Sequence, residues 1–152
     1  MNTNTPHLVV ISAPSGTGKT TVARALLASN NNMVVSVSYT TRAKRTNESD
    51  GKDYSFVTSA TFESMIANGD FLEYAKVFGN YYGTPKKEVN EQLSSGQDVI
   101  LEIDWQGAMQ IKQKVPDCLL LFLLPPSKNE LMIRLKKRGT DSNEQIKIRF
   151  DE

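Results

Sequence analysis

The sequence is poor in the residues that form disulfides and metal sites, with one cysteine and one histidine among 152 residues. Cys118 has no second cysteine with which to form an internal disulfide. It lies in the apolar run CLLLFLL, so we expect a buried strand residue in a reducing compartment. His7 lies in the polar leader MNTNTPH, where we expect a solvated terminal residue and not a ligand or a base. Neither residue is assigned a chemical role.

The sequence also lacks a long hydrophobic run and an excess of charge of either sign. The leader carries no basic region, and the apolar run after it is too short for a signal peptide or a membrane span, so we expect a cytoplasmic protein with no membrane partner. A net charge of +1 argues against nucleic acid as the main partner and leaves small anions open. The length and the 39% of hydrophobic residues predict one soluble domain with a single core. The oligomeric state is not predicted.

Apolar and helical segments alternate along most of the chain. Runs rich in Val, Ile, Leu and Phe are typical of strands buried on both faces, at 8–12, 33–38, 98–104 and 118–124. Helical segments are predicted between them, at 18–29, 85–95, 105–114 and 127–138. The alternation predicts an α/β fold with a parallel sheet. Residues 39–83 break the pattern with turn residues, short β-like pieces and a helix near 60–68, which indicates an inserted lobe.

The segment APSGTGKT, residues 13–20, has the spacing of a phosphate-binding P-loop between a strand and a helix, with alanine where glycine is usual. Backbone N–H groups of residues 15–19 can surround a phosphate at the positive end of the helix. Lys19 would contact the β and γ oxygens of a triphosphate, and the Thr20 hydroxyl would bind Mg²⁺. The predicted ATP-binding residues are Ala13, Pro14, Ser15, Gly16, Thr17, Gly18, Lys19, Thr20 and Thr21.

A P-loop indicates a nucleoside triphosphate but not its use, and two classes compete: a switch GTPase and a kinase with a small acceptor. DWQG at 104–107 matches the Asp-x-x-Gly pattern of a GTPase switch region. No Asn-Lys-x-Asp motif for guanine follows the run at 118–124, which favours the kinase. Asp104 is then interpreted as the acid at the end of a Walker B strand, near the metal and the phosphates. An ordinary helix cap at Asp104 is the alternative.

The inserted lobe contains groups suited to a second phosphate. Arg42 and Arg45 lie three residues apart after a strand, a spacing at which two guanidinium groups can converge on one phosphate. The hydroxyls of Tyr54 and Tyr82 can complete the contacts with its oxygens. The alternatives are a solvated basic face for the arginines and a packing role for Tyr82.

Six motifs, in this order and spacing, resemble the guanylate kinase family, which converts GMP and ATP to GDP and ADP: SAPSGTGKTT, SVSYTTRAKR, DGKDYSF, FLEYAKVFGNYYGTP, VILEIDWQGA and RLKKRGTDS. The resemblance implies a three-layer P-loop fold with a GMP-binding lobe and a short lid. It also implies that the guanine is recognised by Ser38 and Glu73 with Thr84 and Asp104 nearby. The GMP phosphate would contact Arg42, Arg45, Tyr54 and Tyr82. A catalytically silent binding module of the same family is the other class of function, and the intact P-loop favours the enzyme.

The chemistry of Glu73 can be argued from the base alone. Guanine presents N1–H and N2–H₂ as adjacent donors, and one carboxylate can accept from both, while the Ser38 hydroxyl can donate to O6. Adenine has an acceptor at N1 and would leave the carboxylate unpaired, so discrimination on the order of 10⁴ is expected from a closed site. The alternative is an exposed charge on an edge strand.

The basic segment after the last apolar run suits a mobile lid. Arg134 and Arg138 are four residues apart on one helix face, and Arg149 follows a turn, so these side chains would bring positive charge to the transferred phosphoryl group. A basic amphipathic helix facing water is the alternative. We therefore predict a disordered leader at 1–7 and one domain at 8–152, with a core of 8–38 and 84–133, a GMP-binding lobe at 39–83 and a lid at 134–149.

The C-terminal end of the chain departs from the family pattern. A capping box at Ser142 and Gln145 opens a helix that has no cap or following strand before Glu152. The resemblance implies a further strand and helix, so we expect a chain truncated at its C-terminus. We also expect an exposed sheet edge, and the sequence does not predict whether such a chain keeps activity.

Overall fold

The computed structural model describes residues 5–14, 17–138 and 144, without the side chains at positions 131, 135 and 138. The elements run in chain order as β1 (Leu8–Ser12), α1 (Lys19–Ser29), β2 (Met33–Val35), β3 (Tyr39–Thr40), β4 (Ser55–Phe56), α2 (Ser59–Asn68), β5 (Phe71–Val77), β6 (Asn80–Pro85), α3 (Lys86–Ser94), β7 (Asp98–Ile103), α4 (Trp105–Lys114), β8 (Leu119–Phe122) and α5 (Lys128–Arg138). None of the described helices is both long and apolar enough to cross a membrane.

The core of the fold is a four-stranded parallel sheet with the strand order β2-β7-β1-β8. Val10 of β1 is level with Leu101 of β7 on one side and with Leu120 of β8 on the other. All five residues of β1 are buried, because this strand has a neighbour on each side and helices over each face. The predicted α/β fold with a parallel sheet is confirmed.

Helices cover the two faces of this sheet. On one face, Val89 of α3 and Ile111 of α4 pack in a cluster with Val10 and Leu101. On the other face, Ala23 of α1 packs in a cluster that includes Val9, Ile11 and Ile100. Successive β1 residues point to opposite faces, so one apolar strand supplies both clusters. The result is the three-layer arrangement implied by the family resemblance.

Two details of the predicted strands are wrong. The strand predicted at 33–38 ends at Val35, because the chain then leaves this sheet: Ser36 N still donates to Ile100 O, whereas Ser38 O accepts from Ser55 N of the second sheet. The strand predicted as buried on both faces at 118–124 is exposed along its length. Within the described part of the chain β8 is an edge strand, with β1 as its one neighbour, and Phe122 is 54% exposed.

A second sheet, with the order β4-β3-β6-β5, forms from residues 39–85. Helix α2 packs on it through Phe62, whose ring stacks at centroid distances of 4.4 Å on Phe71 and 5.0 Å on Tyr81. A Cβ at Gly83 would lie 2.7 Å from the Phe71 ring, so the glycine is needed for this packing. The helix predicted near 60–68 is confirmed as α2.

Candidate active site

A groove of about 1190 Å³ brings together the two phosphate sites predicted from the sequence. The P-loop and the first turn of α1 contribute Pro14, Thr17, Gly18, Lys19, Thr20 and Thr21. The second sheet and its loops contribute the four residues predicted for the acceptor phosphate, Arg42, Arg45, Tyr54 and Tyr82, together with Ser38, which connects the two sheets. Residues from distant parts of the sequence therefore line one cavity.

The P-loop end of the groove is built by the transition from β1 to α1. Gly18 has φ 99°, a left-handed conformation that favours glycine, and the helix begins at the next residue. Gly18 has no side chain that could cap α1. Gly18 and the first turn of α1 line the groove, so the positive end of the helix faces it. Ala13 is buried and does not line the groove. Ser15 and Gly16 lie outside the described residues.

An acidic residue that we did not predict lies at this end of the groove. Thr20 Oγ1 donates to Glu102 Oε2 at 3.3 Å, and Glu102 lines the groove. Burial raises the pKa of Glu102, while the positive charge of Lys19 opposes this effect. Glu102 lies on β7, two residues before Asp104, so the signal in the sequence was the first of the two acids in LEID.

The structure gives Asp104 its alternative role, that of a helix cap, and does not place it among the described residues that line the groove. Asp104 is the N-cap of α4, and its Oδ1 accepts from Gly107 N at 3.1 Å. The acid that contacts the P-loop threonine is Glu102. Because β7 ends at Ile103, the last acid of the motif belongs to the start of the following helix, and its role at the metal and the phosphates stays a prediction.

A basic cluster forms the other end of the groove, and it contains a second acid that we did not predict. The carboxylate of Glu48 accepts from Arg42 at 2.8 and 3.1 Å and lies 3.9 Å from Arg45 Nη1. Burial alone would raise the pKa of Glu48, but the two arginines hold it below its ordinary value. The guanidinium of Arg42 also lies over the Tyr54 ring, 5.3 Å from its centroid. Burial raises the pKa of the Tyr54 hydroxyl.

The residues predicted to recognise guanine, other than Ser38, form a separate cluster around a buried carboxyl group; Glu73 and Thr84 are buried and Asp104 is half-buried. Glu73 is 3% exposed, and its Oε1 accepts from Thr84 Oγ1 at 2.6 Å. Its carboxylate also contacts the first turn of α4 at Gly107, close to Asp104. Burial is the largest cause that raises the pKa of Glu73 to about 7; Asp104 adds to the rise, and the Thr84 hydrogen bond opposes it. Glu73, Thr84 and Asp104 are not among the described residues that line the groove.

One of the three predicted lid arginines can be placed. Arg134 lines the groove, with Nε 3.0 Å from Glu130 Oε1 and Nη1 donating to Thr17 O at 3.4 Å. The contact with Thr17 connects α5 to the P-loop. The side chain of Arg138, and Arg149 as a whole, lie outside the described residues.

The groove residues that sequence reasoning missed include Glu48, Glu102 and Ser36. Glu48 follows closely after Arg42 and Arg45, so its spacing from them was a usable signal. Ser36 carried no such signal. Within the described part of the chain its buried hydroxyl has no hydrogen-bond partner, and it lies where the chain crosses between the two sheets.

Comparisons with known proteins agree with this geometry. The family model described as guanylate kinase matches residues 5–152. The guanylate kinase of Alkalilimnicola ehrlichii is 52% identical over 145 residues, which are 95% of this chain and 71% of the relative. That of Clostridium tetani is 55% identical over 143 residues, 94% of this chain and 68% of the relative.

A solved structure supports the same conclusion at the level of the fold. The crystal structure of guanylate kinase from Anaplasma phagocytophilum has a TM-score of 0.75 and 35% sequence identity, and the match covers 97% of this chain and 81% of that one. The resemblance carried by the six motifs is therefore confirmed, and it sets aside the switch GTPase. The chain belongs to the guanylate kinase family.

Proposed function

We propose that this chain carries out the phosphotransfer of its family in the groove, moving the γ-phosphate of ATP to GMP to give ADP and GDP. The observation that carries this proposal is the single cavity lined by Lys19 and Thr20 at one end and by Arg42 and Arg45 at the other. A kinase needs two anion sites that share one space, so that donor and acceptor phosphates can meet.

The donor nucleotide would bind at the P-loop. The positive end of α1 and the ammonium group of Lys19 would hold the β- and γ-phosphates. The Thr20 hydroxyl and the Glu102 carboxylate lie together at 3.3 Å, and these two oxygen donors fit Mg²⁺, which takes few protein ligands when phosphates supply the others. When bound there, Mg²⁺ would neutralise part of the negative charge of the phosphates.

The acceptor would bind with its phosphate in the basic cluster and its base toward the second sheet. Arg42, Arg45, Tyr54 and Tyr82 line the part of the groove suited to the phosphate. The base would approach Ser38 and the buried cluster of Glu73, Thr84 and Asp104. Because Glu73 lies outside the lining of the groove, we propose that the second sheet shifts relative to the core when GMP binds.

The chemistry requires alignment and charge stabilisation more than bond making by the protein. The acceptor phosphate already carries a nucleophilic oxygen, so a strong general base is not needed. Lys19 and Arg42 would spread the charge of the transferred group, and Arg134 would add positive charge from α5. Exclusion of water is needed because water would otherwise accept the phosphoryl group. We propose that Arg138 and Arg149 complete this lid.

The finer assignments of location and organisation stay predictions. They are a core of 8–38 and 84–133, a GMP-binding lobe at 39–83, a lid at 134–149 and a cytoplasmic location. The second sheet at 39–85 supports the lobe, because its strands pair with one another and not with the parallel sheet.

A coupled assay of ADP release tests the proposed reaction. We expect ATP-dependent ADP release with GMP, and little with AMP, with dTMP or without an acceptor. Lys19→Met should reduce turnover by at least about 10²-fold, because a preorganised cation at the transferring phosphate is lost. Lys87→Met is the matched control, since Lys87 is exposed on α3 and its side chain is 84% accessible. Equal rates with GMP and AMP, or unchanged turnover in Lys19→Met, would contradict the proposal.

A further inference from the structure

We propose that Glu48 is a positioning residue, which fixes the edge of the Arg42 guanidinium that is presented to the acceptor phosphate. The proposal rests on the proposed function, in which Arg42 contacts that phosphate. A carboxylate inside an anion site is otherwise unfavourable, because it repels the anion that the site must bind. The position of the Glu48 carboxylate in this cluster is therefore explained by the contacts that it makes with its neighbours.

The contacts of Arg42 show which of its hydrogens are taken. Nη1 donates to Ala43 O at 2.8 Å and to Glu48 Oε2 at 3.1 Å, and Nη2 donates to Glu48 Oε1 at 2.8 Å. A guanidinium has five N–H groups, so these three bonds leave one hydrogen on Nε and one on Nη2. Nε and Nη2 form the side edge of the group, and this edge can bind a phosphate through two parallel bonds. Tyr82, which lines the groove, also forms a side-chain hydrogen bond with this guanidinium, so a phosphate bound at this edge would meet the Tyr82 hydroxyl as well.

Glu48 is itself held by the backbone of its loop. Its Oε2 accepts from Arg45 N at 2.9 Å, and its own N–H donates to Arg45 O at 3.1 Å. Its carbonyl oxygen accepts from Lys44 Nζ at 3.1 Å. The Glu48 side chain is 15% exposed, so the pair with Arg42 is partly protected from water. Because both the backbone and the carboxylate of Glu48 are held by hydrogen bonds, this residue can fix the orientation of the Arg42 guanidinium.

A different role for Glu48 would give the opposite experimental result. If the carboxylate only occupied the phosphate position in the free protein, GMP would have to displace it, and its removal would strengthen GMP binding. If the carboxylate orients Arg42, its removal leaves the guanidinium to adopt several orientations, and GMP binding becomes weaker. The bond from Arg45 N to the carboxylate favours the second role, because displacement would also break this backbone contact.

Equilibrium binding of GMP and of guanosine separates these roles, since the two ligands differ only in the phosphate. In isothermal titration calorimetry we expect Glu48→Gln to raise the Kd for GMP about 10-fold, the loss expected for one charge-assisted bond, and to leave guanosine binding unchanged. Glu63→Gln, an exposed glutamate on α2, is the matched control and should change neither value. Unchanged or tighter GMP binding, or an equal loss for guanosine, would overturn the proposal.

A double-mutant cycle shows whether Glu48 acts through Arg42. Arg42→Lys keeps the charge but cannot form the forked contact, so it should weaken GMP binding on its own. In the Arg42→Lys background, Glu48→Gln should then add less than about a twofold change. Fully additive losses would overturn the positioning role. If Arg42→Lys leaves GMP binding unchanged, the assignment of Arg42 to the phosphate fails instead, so the two failures are distinguishable.

Discussion

Two glutamates, Glu48 in the part of the site proposed for the phosphate and Glu73 in the part proposed for guanine, are held in opposite ways. Glu48 contacts Arg42 and Arg45, and these cations lower the pKa of its carboxyl group against the effect of burial. Glu73 is almost fully buried and accepts a hydrogen bond from the Thr84 hydroxyl, and burial raises the pKa of its carboxyl group to about 7. The carboxyl group of Glu48 keeps its charge, whereas that of Glu73 would be about half protonated near pH 7 in the free protein.

The difference indicates how the two parts of the site are prepared for substrate. The part proposed for the phosphate is preorganised, because the carboxylate of Glu48 already balances the positive charge of Arg42 and Arg45. The part proposed for guanine would be completed by the base, because N1–H and N2–H₂ donating to Glu73 would favour its charged form. Binding of guanine would therefore lower the pKa of Glu73 and release a proton.

The largest effect is expected from replacement of Glu73, and the quantity affected is the preference for GMP over AMP. A glutamine at this position would offer one acceptor oxygen and one NH₂ donor, so it would repel one of the two guanine donors. We expect Glu73→Gln to reduce the ratio of kcat/KM for GMP over AMP by about 10³-fold, since the polar contact that distinguishes the bases is lost. Glu63→Gln should keep the ratio. A preference for guanine that survives in Glu73→Gln would remove this residue from base recognition.

The pH dependence of stability should show the difference in pKa directly. In the absence of GMP, Glu73 has an ordinary pKa of 4.5 when unfolded and about 7 when folded, so the folded chain binds more protons between these values. The free energy of unfolding should therefore fall as the pH rises from 4.5 to 7, by about 3 kcal/mol from this group at about 1.4 kcal/mol per pH unit. Chemical denaturation of the wild type and of Glu73→Gln at several pH values measures this change in the free energy of unfolding. Parallel pH profiles in the two proteins would contradict the raised pKa.

A smaller effect is expected from Gly107, which lies against the Glu73 carboxylate. A Cβ at Gly107 would lie 2.9 Å from Glu73 Cδ and closer still to Oε2, so Gly107→Ala must displace the carboxylate. We expect the KM for GMP to rise about 10-fold, equivalent to about 1.4 kcal/mol, with the KM for ATP unchanged. Alanine favours a helix more than glycine does, so loss of α4 is not expected.

Met109→Ala is the control for this prediction, because Met109 lies on the same helix and is 51% exposed. It should leave both KM values unchanged. A Gly107→Ala protein with the KM for GMP of the wild type would show that the carboxylate does not need its present position.

The parts of the site that were predicted from sequence are those in which spacing along the chain decides the geometry. The P-loop lies between a strand and a helix that directly adjoin it, so Gly18, Lys19 and Thr20 could be assigned from APSGTGKT. Glu102 was missed because its contact with Thr20 joins residues 82 positions apart. Glu48 was missed for another reason: an acid beside two arginines was not recognised as part of an anion site.

By itself, the sequence determined the alternation of strands and helices, the P-loop and the family, because these depend on local periodicity and on contiguous motifs. Three features were visible only in the folded chain. Within the described residues β8 is an exposed edge, Asp104 caps α4, and Glu102 contacts Thr20. The opposite shifts in the pKa of Glu48 and Glu73 likewise depend on the folded chain. The physical reason is that burial and charge pairing depend on neighbours brought from distant parts of the chain, and these neighbours set the free energy of each carboxylate.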